Sequence, residues 1–293
     1  MKLSTVILPH ERWHRARATW ERAELLGFHA AYTYDHLSWR SFRDGPWFDA
    51  MTTLAAASQV TSRIGLGTMV TSPNFRHPVP LAKELLSLDD LSRGRLIVGI
   101  GSGGTGFDAG ALGGEVWDRR ERSDRFAEFV QRLDQLLTGE ETTETGHFYS
   151  AYEVVRHPPP LAVPRPPFVV SALGPRAMEV AAEFGQGWVT TGARPGRDGV
   201  PTEEDVAAQI RMLDAALEAR GRAPATVRRV LLDGFTEERP LESVDAFVDV
   251  VGRFGRVGID EFVVHWPVPE SPFAVDPDLF ERIVTVGVDQ LDR

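Results

Sequence analysis

Two short apolar runs without alternation, Ile64–Val70 and Leu96–Ile100, flank a segment whose apolar residues recur at helical spacing, Pro78 to Leu91, with a glycine stop at Gly94. Runs of this kind read as strands covered on both faces. A strand, a helix and a second strand in that order form a parallel crossover unit, which needs more than a hairpin to connect its strands. The second strand ends in Gly99, Gly101, Gly103, Gly104 and Gly106, where backbone can approach a ligand with no side chain in the way. One such unit commits the chain to an α/β architecture and points to the strand ends as the place for chemistry.

The same alternation runs along the rest of the sequence. Strands are predicted at Leu3–Leu8, Ala30–Tyr34, Phe168–Ser171, Trp188–Thr190, Val227–Leu232 and Glu261–Val264, in addition to the two above. Helices are predicted at His14–Leu26, Asp49–Val60, Asp118–Leu137, Pro175–Phe184, Glu203–Arg220, Glu242–Phe254 and Asp276–Val286. Eight such pairs fit a closed TIM (β/α)8 barrel, which typically needs ~250 residues. An open doubly wound sheet is the alternative, since alternation does not distinguish the two. Gly139 to Pro167 breaks the rhythm with a threonine- and tyrosine-rich stretch followed by His157-Pro158-Pro159-Pro160, the pattern of a hairpin insertion and a stiff link. Nothing suggests a second domain, so residues 1–293 are expected to form one.

Composition narrows the function. A formal net charge of -10 argues against nucleic acid and against an anionic membrane surface. With no cysteine, disulfides, thiolate metal sites and a cysteine nucleophile are excluded. No stretch approaches a membrane span of ~20 apolar residues, and Val6 to Leu8 is too short for a signal peptide. The expectation is a soluble, cytoplasmic protein. There is no His-x-His on the first strand and no His-Glu-x-x-His, so no metal is expected; the Gly-x-Ser-x-Gly elbow of serine hydrolases is also missing.

In a barrel the functional groups lie just past the strands' C-terminal ends. These positions hold Pro9 and His10; Asp35, His36 and Trp39; Thr71, Ser72 and Asn74; the glycine loop with Gly101, Ser102 and Gly103; Ser171, Ala172, Leu173, Gly174, Pro175 and Arg176; Thr190 and Thr191; Asp233; and His265 and Trp266. Asp35-His36 is the sharpest pair, because a histidine can exchange a proton with a ligand near neutral pH; a structural cap by Asp35 is the plain alternative. The turn from Ser171 through Gly174 to a helix opened by Pro175 is compatible with phosphate. Together with the glycine loop on the neighbouring strand it suggests a phosphorylated ligand across the barrel mouth. His77, before Pro78, reads as a helix-start contact. Trp39, Phe42, Trp47, Phe107, Trp117, Phe148, Tyr149, His265 and Trp266 are the aromatic candidates for a substrate pocket; Trp39 is the strongest, and Trp47 reads as packing. Arg194 and Arg197 are candidates for an anionic substrate.

The ordered set Ala23–Phe28 (AELLGF), Thr33–His36 (TYDH), Thr61–Val70 (TSRIGLGTMV), Arg76–Pro78 (RHP), Leu91–Arg95 (LSRGR), Val98–Gly104 (VGIGSGG) and Ala172–Ala177 (ALGPRA) resembles the luciferase-like flavin-dependent oxidoreductases. The matches run from about Ser4 to Gly192. The resemblance implies a TIM barrel with an insertion near residues 139–167, and reduced FMN or the deazaflavin coenzyme F-420 at the barrel mouth. It further implies a non-proline cis peptide between Met69 and Val70 behind the ring, with Thr71 following. His36 would be proton donor or ring contact, with Asp35 and Trp39 beside it. The turn Ser171 to Arg176 would bind phosphate. By their places just after the strands, Thr190, Thr191 and His265 join Trp39 as the substrate candidates. The sequences TSPNFR, GPRA and TTG favour the deazaflavin branch and hydride transfer to or from a small organic substrate. The glutamate which that branch often carries after the glycines is absent before Asp108, which leaves open an FMNH2-dependent, oxygen-using monooxygenase fed by a separate flavin reductase. A non-catalytic barrel subunit is the third reading. A homodimer is expected.

Overall fold

The computed structural model describes residues 1–193, 201–235 and 238–291. Arg194 and Arg197, proposed above for an anionic substrate, lie outside the described residues. Eight parallel strands close into a barrel: β1 (Lys2–Val6), β2 (Ala30–Thr33), β3 (Gly65–Thr68), β4 (Leu96–Ile100), β7 (Phe168–Ser171), β8 (Gly187–Thr190), β9 (Arg228–Leu232) and β10 (Glu261–His265). The order around the barrel follows the chain, and β10 returns to pair with β1 from Lys2 opposite Glu261 to Val6 opposite His265. That closure settles the choice between barrel and open sheet.

Helices α1 (Trp13–Leu25), α2 (Ala50–Ser58), α3 (Pro78–Leu91), α4 (Arg119–Thr138), α5 (Pro175–Phe184), α6 (Glu203–Glu218) and α7 (Val244–Arg256) alternate with the strands. The terminal α8 (Pro277–Arg282) continues through a wide π turn, Ile283–Gly287, into α9 (Val288–Leu291), where one uninterrupted helix was predicted. β3 is shorter than expected because its ladder stops at Thr68, just before the cis peptide between Met69 and Val70. Pairing resumes at Thr71, which donates its N–H to Gly99 O and accepts from Gly101 N, each at 2.8 Å.

Alternate residues on each strand face two different cores, as the period-two geometry of a strand requires. Val6, Tyr32, Ile97, Val169, Val189, Val230 and Val263 fill the barrel interior. Ala31, Leu66, Val98, Val170, Trp188, Leu231 and Phe262 join the helices' apolar faces in the outer layer. With both faces covered, the strands lose polar alternation, which is why they read as plain apolar runs. The N-terminal end of the barrel is plugged by charge: fully buried Glu261 accepts from Tyr32 Oη at 3.0 Å and pairs with Arg228 Nε at 2.9 Å. Packing at this end serves stability.

The interruption at 139–167 is an antiparallel hairpin, β5 (Glu141–Glu144) and β6 (Ala151–Val155), followed by an extended link. Glu128 on α4 fastens it by accepting the N–H groups of His147, Phe148 and Tyr149 at 3.1, 2.8 and 2.7 Å. Asp89 on α3 holds the link through Leu161 N at 2.6 Å and Ala162 N at 3.1 Å.

Candidate active site

The strand ends surround two neighbouring spaces. A cavity of about 180 Å³ sits in the barrel mouth among Tyr34, His36, Trp39, Met69, Val70 and Thr191. A cleft of about 590 Å³ lies beside it between the glycine loop and the start of α5. Ser171 at the end of β7 lines both.

Glycine is required in the loop after β4. A Cβ at Gly101 would lie 2.6 Å from Val70 Cγ2, so the Val70 side chain fits only because Gly101 has none. Gly103 adopts a φ of 72°, and a Cβ there would lie 2.4 Å from Asn74 Oδ1. Asn74 in turn donates to Gly104 O at 3.1 Å. The loop after β4 is therefore shaped by the loop after β3.

Asp35 and His36, adjacent in sequence, part company in space. Asp35 is buried and turned away from the cavity. It accepts from Thr71 Oγ1 at 2.6 Å, from Arg76 Nε at 3.0 Å and from Arg76 Nη2 at 2.7 Å. This pair outweighs the burial that disfavours the guanidinium charge and raises the Arg76 pKa. Asp35 thus joins the ends of β2 and β3, a positioning role, and neither caps His36 nor reaches the cavity. Thr71 is likewise fully buried and points to Asp35 rather than to the cleft.

His36 finds its carboxylate elsewhere. Its Nδ1 is hydrogen-bonded to Oδ2 of Asp108, whose Oδ1 accepts the Leu37 N–H at 2.9 Å. Asp108 comes from the loop after β4, 72 positions along the chain. It is buried while the His36 ring lines the cavity. An acidic residue just past a glycine-rich strand end was the available sequence signal for it.

Aromatic side chains build the cavity's outer wall. Trp39 stacks on Phe42, Trp47 and Phe273 with ring centroids 6.0, 6.1 and 6.1 Å away, and Trp47 Nε1 donates to His36 O at 2.9 Å. Phe273 and Phe235 were not anticipated, since they lie on loops without strand or helix pattern. His265 lies beneath this wall, 3.9 Å from Phe273 in a stacked arrangement and with Nε2 2.7 Å from Tyr34 Oη. Burial, reinforced by the Arg40 charge, lowers its pKa to about 3, so the imidazole is neutral. It supports Tyr34 and does not line the cavity. Trp266 packs on Phe28 and Phe280 in the outer core. Phe148 and Tyr149 belong to the hairpin, where Trp117 meets Phe148 edge-on at 5.5 Å. His77 caps α3, its Nδ1 accepting from Val79 N at 3.2 Å.

Thr190 and Thr191 both line the cavity, but the Thr190 hydroxyl is committed to Gln209 Oε1 at 2.5 Å and to Gly192 N at 2.8 Å. The larger cleft holds Ser102, Ser171, Leu173, Gly174, Pro175 and Arg176 together. Ala172 is buried and outside it, its carbonyl accepting from Trp188 Nε1 at 2.8 Å. Gly174 supplies no side-chain cap to α5 and Pro175 no N–H, so the next backbone donors are left for an anion. Arg119, Arg120 and Arg122 line the cleft from α4 opposite Arg176. Sequence reading overlooked these three because they sit on a helix, not at a strand end. Among the described residues no group of three or more histidines and carboxylates is placed to hold a metal ion, and no helix is long and apolar enough to cross a membrane.

Comparison with known proteins agrees with this geometry. The F420-dependent hydroxymycolic acid dehydrogenase of Mycobacterium tuberculosis is 33% identical over 225 residues, covering 76% of this chain and 59% of that protein. The F420-dependent glucose-6-phosphate dehydrogenase of Intrasporangium calvum is 36% identical over 177 residues, covering 59% of this chain and 52% of that protein. The chain thus spans just over half the length of these curated relatives. Its fold is that of an F420-dependent secondary alcohol dehydrogenase solved with an F420-acetone adduct, with a TM-score of 0.83 at 17% identity over 99% of this chain and 98% of the other. The family model for luciferase-like monooxygenases matches residues 1–236, and the chain belongs to that family.

Proposed function

We propose that this chain is an oxidoreductase that uses coenzyme F420 to exchange a hydride with a small organic substrate. The observation that carries this reading is that an aromatic-walled mouth and an arginine-lined cleft lie side by side, with Ser171 lining both. A planar ring fits against Met69 and Val70 in the mouth, and an anionic side chain fits the cleft. F420, whose side chain continues past its phosphate into carboxylates, supplies more negative charge than FMN does for a cleft of four arginines, of which Arg120 and Arg176 also face Asp124. The names of the curated relatives support the same choice.

When bound, the deazaflavin supplies a ring carbon that takes or gives two electrons as hydride, without oxygen. The accompanying proton falls to the protein. Asp108 accepts at His36 Nδ1, which places the ring hydrogen there and leaves the lone pair on Nε2. His36 Nε2 then takes the hydroxyl proton of an alcohol substrate, or returns it to a carbonyl in the reverse direction. Trp39, Phe42 and Phe273 keep water from that side of the cavity.

Titration of the protein with F420 and with FMN, followed by quenching of its tryptophans, tests the reading. Micromolar binding of F420, at least about tenfold tighter than FMN, is expected. Tighter binding of FMN would favour the monooxygenase reading, and binding of neither would favour a non-catalytic barrel; both outcomes overturn the proposal.

A further inference from the structure

Among the described residues, the wall of the mouth cavity carries one arginine and no carboxylate. Arg40 lies 5.0 Å over the ring of Trp39 and 5.5 Å from that of Phe235. It lines the same cavity as His36 and Thr191. Its guanidinium makes no hydrogen bond or ion pair among the described residues. That is unusual company for this chain, which has 42 acidic residues against 32 basic ones. Arg76 engages three carboxylates and Arg253 another three.

The backbone gives no reason for a bulky residue at this position. Arg40 adopts a φ of 42°, in the left-handed region that disfavours any side chain with a Cβ. The aromatic faces of Trp39 and Phe235 attract the cation through their π-electrons and leave its hydrogen-bonding edge for another partner. Three other polar groups of the mouth are committed elsewhere: Tyr34 Oη to His265, Thr190 Oγ1 to Gln209, His36 Nδ1 to Asp108. The Thr191 hydroxyl, like Arg40, makes no side-chain hydrogen bond among the described residues.

We propose that Arg40 selects substrates that carry a carboxylate close to the carbon that exchanges hydride, which makes small hydroxy acids and their oxo acids the substrate class. The planar fork of a guanidinium matches a carboxylate with two parallel hydrogen bonds. The mouth cavity, which the ring shares, leaves room beside Arg40 for a small molecule only. A carboxylate held at Arg40 leaves the neighbouring carbon and its oxygen toward His36, with Thr191 at the side. This assignment rests on the mouth being the substrate end of the site.

Lactate and propane-1,2-diol differ chiefly in the carboxylate, and serve as probes. Their binding is followed by quenching of tryptophan fluorescence in the wild-type chain and in Arg40→Gln and Arg40→Lys variants. F420 affinity is measured separately in each, so that failure of the cofactor reading shows independently. Lactate is expected to bind the wild type about tenfold or more tightly than the diol. Arg40→Gln should reduce that preference to about twofold or less, with Arg40→Lys between. A wild-type chain that binds both alike overturns the proposal. So does an Arg40→Gln chain that keeps the preference, since lactate would then be held at the arginine-lined cleft instead.

Discussion

Replacing Arg76 by methionine tests the most consequential departure from sequence expectation, the role of Asp35. Methionine keeps much of the stem's volume and removes only the guanidinium. Asp35 is 1% exposed and Arg76 13%, so the pair is buried, and deleting one partner leaves a carboxylate with the Thr71 hydroxyl alone. Breaking a buried pair in this way costs ~3–5 kcal/mol. The outer contacts with Asp49 and Glu84, 49% and 40% exposed, add at most ~1 kcal/mol each. For 293 residues at ~2.1 cal/mol/K each, the unfolding entropy is ~0.6 kcal/mol/K, so the melting temperature should fall by ~5–8 °C. Urea denaturation at neutral pH measures the free energy directly. The Asp35→Asn/Arg76→Met double variant should recover at least about half of the loss, because removing both charges removes the penalty. A loss below ~1 kcal/mol for Arg76→Met, or a double variant no better than the single, would refute the view that Asp35 is a neutralised structural carboxylate.

Asp108→Asn takes from His36 the charge that fixes its tautomer, and should lower kcat by ~10²-fold or more with a much smaller change in substrate KM; steady-state kinetics with kcat within about threefold of wild type would remove Asp108 from the proton path. Asp233, at the end of β9, has its pKa raised to about 7, chiefly by burial and further by Glu238, against the Gly234 N–H and Arg239, which lower it. Its neutral form is therefore favoured in the fold: the contribution to stability is complete below the ordinary value of 3.8 and is lost as pH rises through about 7. Asp233→Asn, which cannot ionise, should gain stability over wild type progressively from about pH 4 to about pH 8, and urea denaturation showing a constant difference over that range would contradict the assignment.

Much of the barrel was legible because its signals are local. Strand runs covered on both faces, helical spacing and glycine stops each need only a few neighbours, and β4, β7, α3 and α5 fall where these patterns place them. The same holds for the turn at Gly174-Pro175 and the glycine loop, whose backbone demands are written in the residues themselves. The family resemblance placed the cis bond at Met69–Val70, where the structure has it. Strand ends, by contrast, are set by the ladder partner: the predicted β1 extends past Val6 to Leu8, and both extra residues are as buried as the strand itself.

Partnership at the site is another matter. The sequence put Asp35 beside His36, but successive residues at a strand end point to opposite sides, so one faces the mouth and the other the ring of supporting loops. Which acid reaches His36 depended on the loop after β4 folding across β3 and onto β2. Which aromatic rings enclose Arg40 depended on β9 lying three strands around the closed barrel from β2, 195 positions apart in the case of Phe235. Sequence determined the elements and the kinds of residue gathered at their ends, because propensity and periodicity act over a few residues. Only closure of the barrel decided which of those residues touch, because contacts across the mouth are fixed by strand order and register rather than by distance along the chain.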